Sequence, residues 1–209
     1  ILHRLVGSEM CIRDRVKEGD VVHFDGKRIT PEKKAYVLLN KPKGFITTTK
    51  DEKGRKTVMD LIAKSTPSRV LPVGRLDRLT TGLLLFTNDG DLAKKVTHPS
   101  SVVKKLYHVV LSKSLKPHDL AQIRRGLTLD DGPIQVDVVS YVKGASKREI
   151  GLEIHSGRNR IVRRIFEHMG YEVIALDRVV FAGLTKKDLP RGTWRHLSRQ
   201  EIDLSLIHI

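Results

Sequence analysis

The chain has 209 residues, 39% of them apolar, enough for one well-buried core with at most a small appendage. Lys and Arg number 39 against 24 Asp and Glu, and the resulting +15 is spread along the chain, which suits a broad surface for a polyanion such as nucleic acid. One cysteine excludes a disulfide framework and a cysteine-based zinc site, no run nears the roughly 18 apolar residues of a membrane span, and no secretory signal opens the chain, so the cytoplasm is the expected compartment.

The two ends read as foreign to the fold. One codon choice for residues 10–15 (MCIRDR) is a string whose reverse complement opens a codon choice for residues 204–209 (LSLIHI), and both match the transposon-end adapter of sequencing libraries. Segments 1–15 and 204–209 are therefore expected to be non-native and to pack poorly, and Cys11 drops out of the native protein.

Between them, residues 16–30 predict a hairpin turning at Asp25-Gly26, followed by a polar linker at 31–34. From Tyr36 the apolar pattern is dense: a strand at 36–40 stops at Lys41-Pro42-Lys43-Gly44, and the β-branched run FITTT predicts a second at 45–49. A short helix is expected at 57–63, and strands at 70–73 and 83–87 flank the polar loop GRLDRLTTG. A helix at 91–96, a strand at 106–111 and a helix at 117–125 ended by Gly126 come next. Strands at 134–142 and 148–154, a helix at 159–169 and a strand at 173–181 complete the pattern. Helices interrupt strand pairs without a βαβ rhythm, so residues 35–203 are expected to form one α+β domain on a mixed, largely antiparallel sheet flanked by helices.

Three constellations could carry chemistry. Asp77 stands between Arg75 and Arg78 in a loop bounded by Gly74 and Gly82; flanking cations keep a carboxylate ionised and nucleophilic, though a surface ion cluster has the same look. Arg158, Arg160, Arg163 and Arg164 crowd a helix start whose apolar stripe is Val162, Ile165, Phe166 and Met169. That leaves the arginines on its flanks, as a phosphate site or as a solvated basic face. Tyr107 follows Lys104-Lys105 in a strand, either as a sheet-face aromatic or as a platform for an unstacked base. The nine histidines show no metal-ligand spacing, and Walker and dinucleotide fingerprints are absent.

Six stretches in order resemble the RsuA/RluB-type pseudouridine synthases of bacterial ribosomal RNA: LNKPKGFITT (39–48), VGRLDRLTTGLLLFTNDGDLA (73–93), THPSSVVKKLYHV (97–109), GLTLDDGP (126–133), GRNRIVRRIFEHMG (157–170) and VIALDRVVFAGLTKKDLPRGTWRHL (173–197). The resemblance implies the pseudouridine synthase fold, Asp77 as nucleophile, Tyr107 packed on the target uracil and assisting deprotonation at C5, and Arg163 paired with Asp77. It implies Leu176 in the apolar part of the uracil pocket, and Lys41, Arg75, Lys105, Arg158, Asn159, Arg160 and Arg164 as contacts to RNA. Family members often carry Glu-Gly and Gln where Ser156-Gly157 and Ile161 stand here. Residues 16–30 resemble the end of an S4 RNA-binding module.

The implied reaction breaks an N-glycosidic bond, turns the base and rejoins it through carbon. Substrate and product are isomers, so no cofactor or metal is expected. A silent binding protein of this fold would lack Asp77, Tyr107 or Arg163, and all three are present; a DNA-binding reading lacks helix-turn-helix spacing. GLTLDDGP and LPRGTWRHL favour the large-subunit enzymes, so the expected partner is 23S ribosomal RNA, met by a monomer away from membranes.

Overall fold

The computed structural model describes residues 21–30, 32–98 and 101–207, the last four by backbone only. The expectation for residues 1–15 and the packing of 204–209 lie outside the described residues. The chain divides into two compact units, 1–33 and 34–209.

In the first unit, β1 (Val22–Phe24) and β2 (Lys27–Ile29) pair antiparallel. The turn has positive φ at both central residues, Asp25 (51°) and Gly26 (72°), as a two-residue hairpin requires. Three-residue strands bury no core of their own.

The second unit opens with β3 (Tyr36–Lys41), α1 (Val58–Ile62), β4 (Leu71–Val73), β5 (Thr81–Thr87) and α2 (Gly90–Thr97). It continues through β6 (Lys105–Leu111), α3 (Pro117–Arg125), β7 (Leu127–Leu129), β8 (Gly132–Ile134), β9 (Val138–Tyr141) and β10 (Glu149–Ile154). It closes with α4 (Ile161–His168), β11 (Val173–Phe181), β12 (Leu184–Thr185), β13 (Trp194–His196) and α5 (Arg199–Ile207). The main sheet runs β13-β3-β5-β11-β6-β10-β9, with β4 on β5 and β12 on β11. Its pairs are antiparallel except β5 with β11, a mixed and largely antiparallel sheet as expected.

Every residue of β5 is buried because both faces of this central strand are covered. Alternation divides its apolar run between two cores: Leu83 and Leu85 pack with Leu38, while Leu84 and Phe86 pack with Val37 and Leu39. A third core gathers β6, β10 and β11 beneath Ile161, Val162, Ile165 and Phe166 of α4. At the parallel junction Gly82 lies opposite Arg178 with φ +106°, and a Cβ there would stand 2.2 Å from the Arg178 carbonyl oxygen. Only glycine permits that approach.

The expected strand at 45–49 does not form; Ile46 makes a single parallel bridge to Thr57, and the segment serves as a brace for the loop that follows β4. The expected strand at 134–142 is two pieces, because β8 turns back on β7 at Asp130-Asp131 before β9 joins β10. Strands β12 and β13 and helix α5 were not expected; each is short or of mixed pattern, and β13 is held by tertiary pairing with β3.

Candidate active site

A cleft of about 880 Å³ opens where the loop after β4, strands β6 and β11, and the approach to α4 converge. Asp77 is the only carboxylate among its described lining residues, while Arg75, Lys105, Arg158, Arg160 and Arg178 bring positive charge. The Asp77 side chain is 40% exposed, open enough to meet a ligand.

The loop carrying Asp77 is shaped by backbone hydrogen bonds. Gly74 takes φ +76°, the Thr80 N–H donates to the Asp77 carbonyl at 3.0 Å, and the Gly44 N–H donates to the Arg78 carbonyl at 2.9 Å. The Thr47 hydroxyl donates to the Leu76 carbonyl at 2.8 Å. Lys41 corrects the sequence reading: it is wholly buried, and its ammonium donates to the carbonyls of Asp77 (3.0 Å) and Thr80 (2.8 Å), with longer contacts to Pro42 and Arg78. It stands outside the cleft lining and clamps the loop from within. Burial pushes its pKa down to about 8, with Asp77 opposing and Arg191 assisting that shift.

The ion pair to Asp77 is also reassigned. Arg160 Nη1 lies 3.4 Å from Asp77 Oδ2, whereas Arg163 is buried and donates to the Val173 carbonyl at 2.8 Å. Arg163 therefore belongs to the buried stripe of α4 rather than its flank. Burial lowers its pKa and Arg160 adds to this, while Asp77 and Glu167 pull the other way, so Arg163 feels the Asp77 charge through space. Arg160 is the N-cap of α4 with a left-handed backbone (φ 46°, ψ 29°), a strained conformation for a non-glycine residue at a functional cleft.

Tyr107 and Leu176 both line the cleft, on paired strands β6 and β11. Lys105 lines it too and donates to the His155 carbonyl; burial, then the nearby Arg178 charge, push its pKa down to about 8. Arg75 is exposed at the rim. Arg158 lies 3.5 Å from Asp131, and Arg164 grips the same carboxylate at 2.6 and 2.8 Å from outside the lining. Asn159 is exposed and also outside it.

Two features escaped the sequence reading. Arg178, buried in what reads as a core strand, reaches the cleft with its Nε donating to the Leu83 carbonyl at 2.8 Å. Beside it Asp177 accepts from Thr81 (2.8 Å), Arg191 (2.8 and 3.1 Å) and Lys186. Burial alone would raise the Asp177 pKa, but those donors hold it far below the usual carboxylate range. The cluster ties β11 to β5 and to the chain before β13, again fixing the strand that leads out of the Asp77 loop. Nothing in the spacing of Asp177, Lys186 and Arg191 announces their convergence.

The model for "RNA pseudouridylate synthase" matches residues 35–168, and with it this fold and cleft place the chain in that family. It is an RNA pseudouridine synthase, an isomerase. It is 41% identical over 192 residues to "Ribosomal large subunit pseudouridine synthase B" of Bacillus subtilis (strain 168), covering 90% of this chain and 78% of that protein. The protein of the same name from Buchnera aphidicola subsp. Baizongia pistaciae (strain Bp) is 38% identical over 170 residues, 80% of this chain and 69% of its own. Among solved structures, "Crystal structure of pseudouridylate synthase" superposes with a TM-score of 0.74 at 26% identity, over 92% of this chain and 83% of that one.

Proposed function

We propose that the chain isomerises one particular uridine of large-subunit ribosomal RNA to pseudouridine, with Asp77 as the nucleophile. The observation that carries this is the solitary carboxylate: among the described residues lining the cleft only Asp77 offers one, and it is half-exposed amid cations. Arg160 lies 3.4 Å from the carboxylate, and Arg163 feels its charge through space, so cations flank the group that attacks. The choice of RNA rests on the relatives' names and on the net charge of +15.

In this reading the target nucleotide leaves its stack at a cost of a few kcal/mol, offset by phosphate contacts from Arg75, Arg158, Arg160 and Arg164 and by packing against Tyr107 and Leu176. Asp77 then assists departure of the base from C1′, the base turns, and its C5 bonds to C1′. Tyr107 takes the C5 proton. The Val22–Ile29 hairpin reads as the end of an S4 RNA-binding module that adds grip on RNA. The test maps pseudouridines in ribosomal RNA from cells with and without the gene, and with Asp77→Asn in its place. One large-subunit position should lose its modification in both deficient strains; loss confined to another RNA overturns the substrate, and modification by Asp77→Asn overturns the nucleophile.

A further inference from the structure

Arg178 is a buried cation without a carboxylate. It is 3% exposed, and no ion pair to it occurs among the described residues. Its Nε is used by the Leu83 carbonyl, its guanidinium carbon lies 4.2 Å from the Phe181 ring centre, and its Nη2 has no hydrogen-bond partner among the described residues. Burying such a charge is costly, and a neutral side chain of the same length would fill the space with less penalty. A purely structural part therefore accounts poorly for it.

Its register supplies the other half of the argument. On the antiparallel pair β6–β11, Arg178 is the Cα partner of Tyr107, and both side chains line the cleft that holds Asp77. The backbone beneath Arg178 is fixed by the glycine approach of Gly82 from the strand that leaves the Asp77 loop. The guanidinium thus shares the cleft with the phenol of the neighbouring strand, aligned by packing on Phe181 and by the Leu83 carbonyl. Burial lowers the Arg178 pKa, and Tyr107 opposes that shift.

We propose that Arg178 is a positioning residue for the last step of the isomerisation: it orients the Tyr107 hydroxyl and supplies the positive potential that lets this oxygen accept the C5 proton. This rests on the reading of Tyr107 as the proton acceptor. At that point C5 of the turned base is bonded to C1′ and still carries its hydrogen, with a double bond between N1 and C6. The proton passes to the Tyr107 oxygen as phenolate, and the C5–H pair becomes the C5–C6 double bond. The N1–C6 π pair moves to N1, which takes a proton from water. The adjacent guanidinium stabilises the phenolate before the transfer, when the negative charge sits on the tyrosine.

The test uses the full chain and large-subunit ribosomal RNA transcribed with uridine or 5-deuterouridine, in single-turnover kinetics beside a binding titration. Arg178→Met should slow turnover about 100-fold, leave RNA affinity within a few-fold and enlarge the isotope effect, because proton removal becomes the slow step. Arg178→Lys, which keeps the charge, should recover part of the rate. In a Tyr107→Phe background neither substitution should slow the reaction further. If Arg178→Met does not fold, Arg178→Lys alone and with Tyr107→Phe decides the matter through the same isotope effect and the same lack of additivity. An unchanged isotope effect, or a loss that multiplies with that of Tyr107→Phe, overturns the role of Arg178. Wild-type turnover in Tyr107→Phe instead removes the tyrosine, a different failure with its own signature.

Discussion

A carboxylate half open to water and touched by a single guanidinium at 3.4 Å contributes little to stability, and that separates its chemistry from its structure. Asp77→Asn is expected to abolish pseudouridine formation while shifting unfolding free energy by less than about 1 kcal/mol and RNA affinity by a few-fold at most. Tritium release from C5-labelled uridine, with urea unfolding alongside, checks it; retained turnover removes Asp77 from the chemistry. Lys41 is the opposite case, a charge used for structure. Its pKa of about 8 lies below the roughly 10.4 of an unfolded lysine, so between these values the folded chain binds fewer protons than the unfolded one. Stability attributable to Lys41 therefore rises with pH: a penalty present in full below about 8 is lifted by about 10.4. Lys105 titrates in the same window, so the comparison must be wild type against Lys41→Met. The variant should lose about 2–4 kcal/mol at pH 7 as buried carbonyls lose their donor. The gap should widen as pH climbs through 8 to 10; a gap that narrows contradicts the assignment.

The elements around the cleft hold their places by a few close contacts. β5 and β11 meet where Gly82 passes Arg178, and Gly82→Ala puts a methyl 2.2 Å from a carbonyl oxygen while forcing alanine to φ +106°. A loss above about 3 kcal/mol is expected in thermal or urea unfolding, and a near-neutral effect would mean that the strands can part. The β7–β8 hairpin acts on charge rather than packing. Asp131 at its turn occupies Arg158 and Arg164 on the approach to the cleft. Asp131→Asn should free both for phosphate, tightening RNA binding at low salt and steepening its salt dependence, with little change in fold because these pairs are exposed. Weaker binding in a filter or fluorescence titration would assign Asp131 to holding the arginines in shape instead.

Across the whole molecule, +15 on 209 residues predicts binding dominated by counterion release. Affinity for structured RNA should fall linearly in log–log form as salt rises, and Arg164→Glu should reduce that slope by about one while weakening cognate and non-cognate RNA alike. A flat salt response would place the affinity in base contacts.

Much of this was legible in the sequence because local physics wrote it there. The Asp25-Gly26 turn requires positive φ, the buried run of β5 requires cover on both faces, and a glycine-bounded loop that presents Asp77 between arginines is visible as residues in a row. The sequence alone thus determined the family, the mixed α+β sheet and the carboxylate at the cleft. Only the tertiary structure decided which cation does what. Lys41 reads as a contact to RNA and Arg163 as the partner of Asp77, yet β3 and α4 bury them; Arg160 takes the ion pair; Arg178 is drawn from an ordinary-looking strand into the cleft, with Asp177 bracing the strand beside it. Charge is a property of a residue, but burial and partnership come from segments far apart in the chain. Arg178 meets Tyr107 only because β11 lies between β5 and β6, and that long-range pairing has no local sequence signal to announce it.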